Sequence, residues 1–329
     1  MTVHKTLILG KKEVARLITM KEAIRAVEFA FRETGERRVR MPAKIYLDLP
    51  DYGGDFRAMP AYIEKLGRCS LKWVNSHPYN AAKGLPAVMA VIILSDPLTG
   101  YPLCVMDGTY VTCLRTGAAG AVAAKYLADP KSRTAGLVGC GAQARAQLAG
   151  LLEIFPLRDV KVWGPGPSEI LKFIRENARK GVRMIPAGSV RQCVADCDIV
   201  VTTTPSRKPL VRAEWLKRGV HVNAIGADAK GKQELDPAVL KKAKVVVDSW
   251  EQASHSGEIN VPVSRGILIR GDIYAELGDI LSGRRRGRVN SSEITVFDST
   301  GLAVQDLAAA DVIYRNAVKS KRGRRFPVV

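Results

Sequence analysis

The glycine-spaced turn Leu137-Val-Gly139-Cys-Gly141-Ala142-Gln143-Ala144 constrains this chain more than any other feature. It follows the apolar run beginning at Thr134 and opens a helical stretch, matching G-x-G-x-x-G with alanine in the last place. Gly139 permits a tight turn, Gly141 lets a pyrophosphate approach the backbone, and Ala144 lets the helix sit close to the strand. The helix N-terminus then offers unpaired N–H groups to the anion. Val160–Trp163, Asp198–Thr203, His221–Ile225 and Val245–Asp248 are further short apolar runs separated by helical stretches. That alternation predicts an α/β fold with a Rossmann-type doubly wound parallel sheet that binds a dinucleotide. A further strand, Ile294–Asp298, precedes a helix over about Leu302–Val318.

The flanking regions carry a different rhythm. Val14, Leu17, Ile18, Ala23, Val27 and Phe31 fall near helical spacing, predicting one helix over Glu13–Thr34. From Pro42 to Cys104 the pattern turns to strands, at Lys44–Leu49, Leu71–Asn75 and Ala87–Leu94, punctuated by Gly, Pro and Asp-Pro turns. Arg115–Ala128 is rich in alanine and reads as a closely packed connecting helix, stopped at Asp129-Pro130. With 329 residues, two domains are expected, an α+β region beside the dinucleotide fold.

Composition excludes several classes. The longest apolar run, Leu85–Leu94, is about half a membrane span. The start lacks a secretory apolar core, so a cytoplasmic protein is expected. Six cysteines form no C-x-x-C pair; Cys193 and Cys197, one helical turn apart, suit packing better than metal ligation. His4, His77, His221 and His255 form no spaced ligand set, and no metal is expected. The net charge of +19 concentrates in Arg284-Arg285-Arg286-Gly287-Arg288 and the tail Lys319–Arg325. Neither block is interleaved with aromatic residues, so both read as solvated surface and not as a specific nucleic-acid site.

Cofactor choice stays open between NAD and NADP. Trp163 is followed by Gly164-Pro-Gly-Pro-Ser168, with no carboxylate for a ribose 2′-hydroxyl and no arginine directly after it for a 2′-phosphate. Thr202-Thr203-Thr204-Pro205, Asp228 and Asp298-Ser299-Thr300-Gly301 all follow strands on the carboxyl edge, where ligands bind in such sheets. Asp228 is expected to face the nicotinamide end and the stretch Asp298-Ser299-Thr300-Gly301 to close the far side of the cleft. Outside this segment stand Arg57, Lys72 and Arg115. Lys72 interrupts the apolar run Leu71, Trp73 and Val74, and alternation alone assigns it to the solvent face.

Arg57-Ala-Met-Pro-Ala, Leu71-Lys-Trp-Val-Asn-Ser-His-Pro, Met106-Asp-Gly-Thr-Tyr and Leu114-Arg-Thr-Gly-Ala-Ala, with the glycine turn itself, resemble the ornithine cyclodeaminase/μ-crystallin family. So do Ile225-Gly-Ala-Asp, Gly231-Lys-Gln-Glu-Leu-Asp, Gly257-Glu-Ile-Asn and Phe297-Asp-Ser-Thr-Gly-Leu-Ala-Val-Gln-Asp. The likeness runs in order over nearly the whole chain. It implies a substrate-binding and dimerisation domain of residues 1–117 plus 301–329, with a Rossmann domain of residues 118–300 inserted. It implies that Arg57, Lys72 and Arg115 gather at a substrate carboxylate and that Lys72 and Asp228 are catalytic. Lys72 among cations would lose its proton readily and serve as a proton shuttle. Cofactor contacts are implied for Arg115, Thr116, Gly139, Gly141, Ala142, Gln143 and Gly164. Further contacts are implied at Thr203, Thr204, Pro205, Ile225, Gly226, Ala227, Ser299 and Gly301. Gly164 stands where NAD-type members carry an acid.

The implied activity is NAD(P)-dependent oxidative deamination of L-alanine, run by a homodimer on a small amino acid or 2-oxo acid. Ornithine cyclodeamination, pyrroline-2-carboxylate reduction and NADPH binding without turnover are the alternatives.

Overall fold

The computed structural model describes residues 4–328, so the reading of the extreme start at Met1–Val3 lies outside it. The chain divides into two compact units. One contains the residues up to Arg115 and those from Leu302 onward; the other is Thr116–Gly301.

The first unit is built on a mostly antiparallel sheet. Gly54–Ile63, Arg68–Ser76, Ala90–Ser95 and Pro102–Asp107 run as a meander. Thr6–Leu9 joins parallel to Pro102–Asp107, and Arg324–Phe326 closes that edge. At the other edge Ile45–Leu49 and Val39–Arg40 both pair with Gly54–Ile63. Gly67, at φ +56°, takes the left-handed turn between two long strands, a conformation that glycine adopts without steric cost. The helix Ala303–Lys319 packs on Gly54–Ile63 and Arg68–Ser76 and against the helix Met20–Gly35.

The single helix expected over Glu13–Thr34 is two, Lys11–Leu17 and Met20–Gly35. Thr19 breaks it: its hydroxyl accepts from Glu22 N–H while the Glu22 carboxylate accepts from Thr19 N–H. This reciprocal capping box starts a new helix inside what reads as one amphipathic period.

The second unit carries eight strands, all parallel. Their order is Arg183–Pro186, Asp159–Trp163, Thr134–Val138, Ile199–Thr202, His221–Ala224, Thr295–Asp298, Lys244–Val247 and Ile273–Glu276. The order reverses beside Thr134–Val138, which places the glycine turn at the switch point. Alternate residues of Ile199–Thr202 enter different buried clusters, Ile199 and Val201 with Leu137 and Phe173, Val200 with Val222 and Leu235. Both faces of the sheet are therefore covered, as a parallel sheet requires. Gly117 lies so close to Ala146, and Gly150 to the Gly117 carbonyl, that a Cβ at either would collide with the facing backbone. Cys193 and Cys197 are core thiols that donate to the carbonyls of Leu137 and Cys193, and burial pushes them up to about 12 and about 11. Among the described residues no helix is long and apolar enough to cross a membrane.

Candidate functional site

In the second unit the glycine turn is shaped around a ligand. Gly139 adopts φ +115°, and its N–H donates to the Trp163 carbonyl at 2.9 Å. A Cβ there would come within 2.5 Å of Thr203 Oγ1. Gly141 caps the helix Ala142–Ile154 without a side-chain hydrogen bond, and a Cβ at Gly141 would meet nothing within 4 Å. Open space thus faces a helix N-terminus, which fits a pyrophosphate. Gln143 Oε1, beside it, is buried with no hydrogen-bond partner. Gly139, Gly141, Gly164, Thr203, Thr204 and Pro205 line one cleft of about 660 Å³, together with Arg145 and Lys172. Gly139→Ala is expected to cost about 1–3 kcal/mol through the strained φ and to weaken dinucleotide binding, measurable by thermal melting with and without NADH.

Gly164 has a steric reason to be glycine. A Cβ at this position would run into Cys140 Sγ and lie 3.3 Å from Ile170. An acid therefore cannot enter here unless Cys140 moves.

The remaining strand-end residues have distinct settings. Thr116 turns its carbonyl to Gln147 Nε2 at 2.8 Å. Ile225 and Ala227 are buried on either side of Gly226, whose N–H is held by Glu234. Ser299 is buried, and Gly301 N–H donates to Asp248 Oδ2 at 2.7 Å. Asp298, at the start of the stretch expected to close the cleft, is wholly buried and accepts from Ile259 N–H at 3.0 Å, holding a neighbouring loop. Asp228, past the end of His221–Ala224, is half-exposed and paired with Lys232.

In the first unit, Lys72 is not a surface residue. The strand alternates as expected but with the opposite sense, with Ser70, Lys72 and Val74 inward and Leu71 and Trp73 outward. Lys72 is only 1% exposed. Its Nζ lies 2.7 Å from Asp306 Oδ2, while Arg115 Nε donates to Asp306 Oδ1 at 2.9 Å. Arg115 Nη1 also donates to Gln305 Oε1 at 3.0 Å. One buried carboxylate thus holds two buried cations. Burial and the Arg115 charge lower Lys72 to about 7, partly offset by Asp306. With Lys72 protonated, two cations share one acid, a surplus that attracts a second carboxylate such as that of an amino acid.

Arg57 shares the inward face. It stands opposite Val74, and Lys72 stands opposite the next inward residue, Met59. Diagonal neighbours on one face are about 7–8 Å apart. Its guanidinium makes a two-pronged contact with Asp55, at 2.8 and 3.0 Å, over the Tyr46 ring. The structure therefore brings Lys72 and Arg115 together on Asp306 with Arg57 on the same face; Asp228 belongs to the other unit. Two acids went unassigned in the sequence, Asp306 and Glu234. Both lie within motifs that carry the family resemblance, yet neither pattern reveals which distant groups the acid meets.

Comparisons with known proteins identify the family. The model for the ornithine cyclodeaminase/mu-crystallin family matches residues 4–321. The alanine dehydrogenase of Archaeoglobus fulgidus is 51% identical over 324 residues, spanning 98% of each chain. An archaeal alanine dehydrogenase dimer solved with bound NAD superimposes with a TM-score of 0.96 at 50% identity, covering 99% of this chain and 100% of that one. The Δ1-pyrroline-2-carboxylate reductase of Thermococcus litoralis, solved with NADH and L-proline, gives 0.94 at 37% identity, covering 97% and 99%.

Proposed function

Because this chain belongs to the ornithine cyclodeaminase/mu-crystallin family, we propose that it is an NAD(P)-dependent dehydrogenase that oxidatively deaminates L-alanine. The observation that carries this reading is the buried Lys72–Asp306–Arg115 cluster, a cationic site with a lysine poised near neutrality. Arg115 and Arg57 grip the substrate carboxylate, a task suited to their planar fork of donors. That grip orients Cα for reaction. A bound nicotinamide supplies the hydride acceptor. Lys72, neutral above its lowered pKa, takes the proton that the substrate ammonium sheds as Cα–N becomes an imine. Asp228 attracts the ammonium and then assists water in adding to the imine carbon. The balance is L-alanine, oxidised dinucleotide and water giving pyruvate, ammonium, reduced dinucleotide and a proton.

The test is a set of absorbance assays with L-alanine, L-ornithine and L-proline, each with NAD and NADP. Net cofactor reduction with alanine is expected. Ammonia released from ornithine without net reduction would make the chain a cyclodeaminase instead. The reductase relative favours a second reading, reduction of a cyclic imino acid, and oxidation of L-proline in the same assays would select it. Asp228→Asn is expected to remove most turnover while dinucleotide binding persists; full activity would take Asp228 out of the mechanism.

The working form is a homodimer. The outward sheet face presents Ile45, Leu47, Leu71, Trp73, Val91 and Ile93, an apolar surface of the kind that marks association sites. The register confirms one continuous face: Trp73 stands opposite Val91, and Leu71 opposite Ile93. Trp73→Lys is expected to shift the light-scattering mass from dimer to monomer; a monomeric wild type would refute the assignment.

A further inference from the structure

We infer that Glu234 is a positioning residue, a buried clamp that sets the geometry of two loops at the carboxyl edge of the dinucleotide sheet. The inference rests on the dinucleotide reading above and adds a residue to it. Glu234 is wholly buried, and each carboxylate oxygen is committed to a different loop. Oε1 accepts from Thr204 N–H at 2.6 Å and from Thr204 Oγ1 at 2.7 Å. Oε2 accepts from Gly226 N–H at 2.9 Å. Thr204 follows the strand Ile199–Thr202 and lines the cleft; Gly226 follows the neighbouring strand His221–Ala224 and lies two residues before Asp228.

Gly226 independently supports the clamp. A Cβ there would come within 2.5 Å of Glu234 Oε2 and collide with the Thr204 carbonyl. Only glycine lets one acid reach both loops at this spacing.

The clamp is itself anchored from below. The backbone N–H of Glu234 donates to the buried carboxyl of Glu258, at 2.9 and 3.0 Å to its two oxygens, and Leu235 N–H donates at 2.6 Å. The Glu234 carbonyl accepts from Leu210 and Val211 N–H. Burial and the nearby Glu234 and Asp298 carboxylates push Glu258 well above the usual carboxylate range, and burial pushes Glu234 up as well. The donors around Glu234, two N–H groups and the Thr204 hydroxyl, reach both of its oxygens.

A carboxylate offers two acceptor oxygens, whereas an isosteric amide offers one and turns an NH₂ toward the other partner. Glu234→Gln must therefore release one loop, whichever way the amide faces. The expected result is a rise of about tenfold or more in the NADH and NADPH dissociation constants, read by fluorescence titration. Glu33→Gln is the control. It is equally buried but lies in the other unit, paired with Arg38 and Lys65, and it should leave those constants within about twofold despite lowering the melting temperature.

Unchanged dinucleotide affinity in Glu234→Gln would overturn the inference. So would equal weakening in both variants in step with lost stability, because Glu234 would then be a general structural residue. If Glu234→Gln does not fold, hydrogen exchange on the wild type decides. Thr204 and Gly226 amides should be protected together and slow together when NADH is added; independent or unprotected exchange would overturn the clamp. A wild-type chain that binds neither dinucleotide, yet shows jointly protected amides, would instead refute the cofactor reading and leave the clamp standing.

Discussion

Lys72→Met is expected to lower turnover of L-alanine by about 10²–10⁴-fold, the usual worth of a positioned proton-transfer group, with dinucleotide affinity unchanged. Methionine keeps the chain length and removes the amine, so the inward face of Arg68–Ser76 stays filled. The dinucleotide loops belong to the other unit and keep their own hydrogen bonds. In the wild type the sign of the pH dependence follows from the lowered lysine. Below about 7 Lys72 is protonated and cannot accept the substrate proton; above it the neutral amine can. Oxidative turnover at saturating substrate should rise through about 7 and level off. In Lys72→Met that limb should vanish from the residual rate. A variant that keeps both its rate and the limb would show that another group moves the proton.

Asp306→Asn should give the second large effect. It removes the carboxylate that meets both Lys72 Nζ and Arg115 Nε. Breaking a buried ion pair by neutralising one partner costs about 3–5 kcal/mol, to be read in a urea melt. Lys72 would lose the carboxylate whose charge and hydrogen bond raise its pKa, leaving burial and Arg115 unopposed. The rising limb of the pH profile should therefore move to lower pH. A shift to higher pH would mean that Asp306 does not hold the lysine. A stability change without any shift in the profile would confine Asp306 to packing.

The parallel sheet was legible because strands buried on both faces read as continuous apolar runs, as at Ile199–Thr202 and Lys244–Val247. The edge strands Arg183–Pro186 and Ile273–Glu276 were not. They are only partly buried, and their mixed composition carries no apolar run. In the first unit, Gly54–Ile63 escaped because Pro60 and the charged residues Asp55 and Arg57 interrupt its pattern. The direction of Lys72 was misread for a related reason. Alternation separates two faces but does not say which is the inside, and here the outward face is the apolar one, the surface assigned to the dimer.

The site divides along the same line. The glycine turn is local, so its spacing alone announced Gly139 and Gly141. Asp306 lies 191 residues beyond Arg115 and meets it only after the last helix has packed on the sheet. Glu234 is closer to its partners, 30 residues from Thr204 and 8 from Gly226, but its role depends on two loops meeting at neighbouring strand ends. Gly164 was visible as a missing acid; the reason, Cys140 packed against the space a side chain would need, required coordinates.

The most direct test of the proposed reaction follows the hydrogen on Cα. The purified chain would be given L-alanine deuterated at Cα with NAD or NADP, and the products analysed by mass spectrometry. The account predicts deuterium in the reduced dinucleotide, with pyruvate and ammonia formed in equal amounts. Unreacted alanine, with ornithine converted to proline and ammonia and no reduced dinucleotide accumulating, would contradict it.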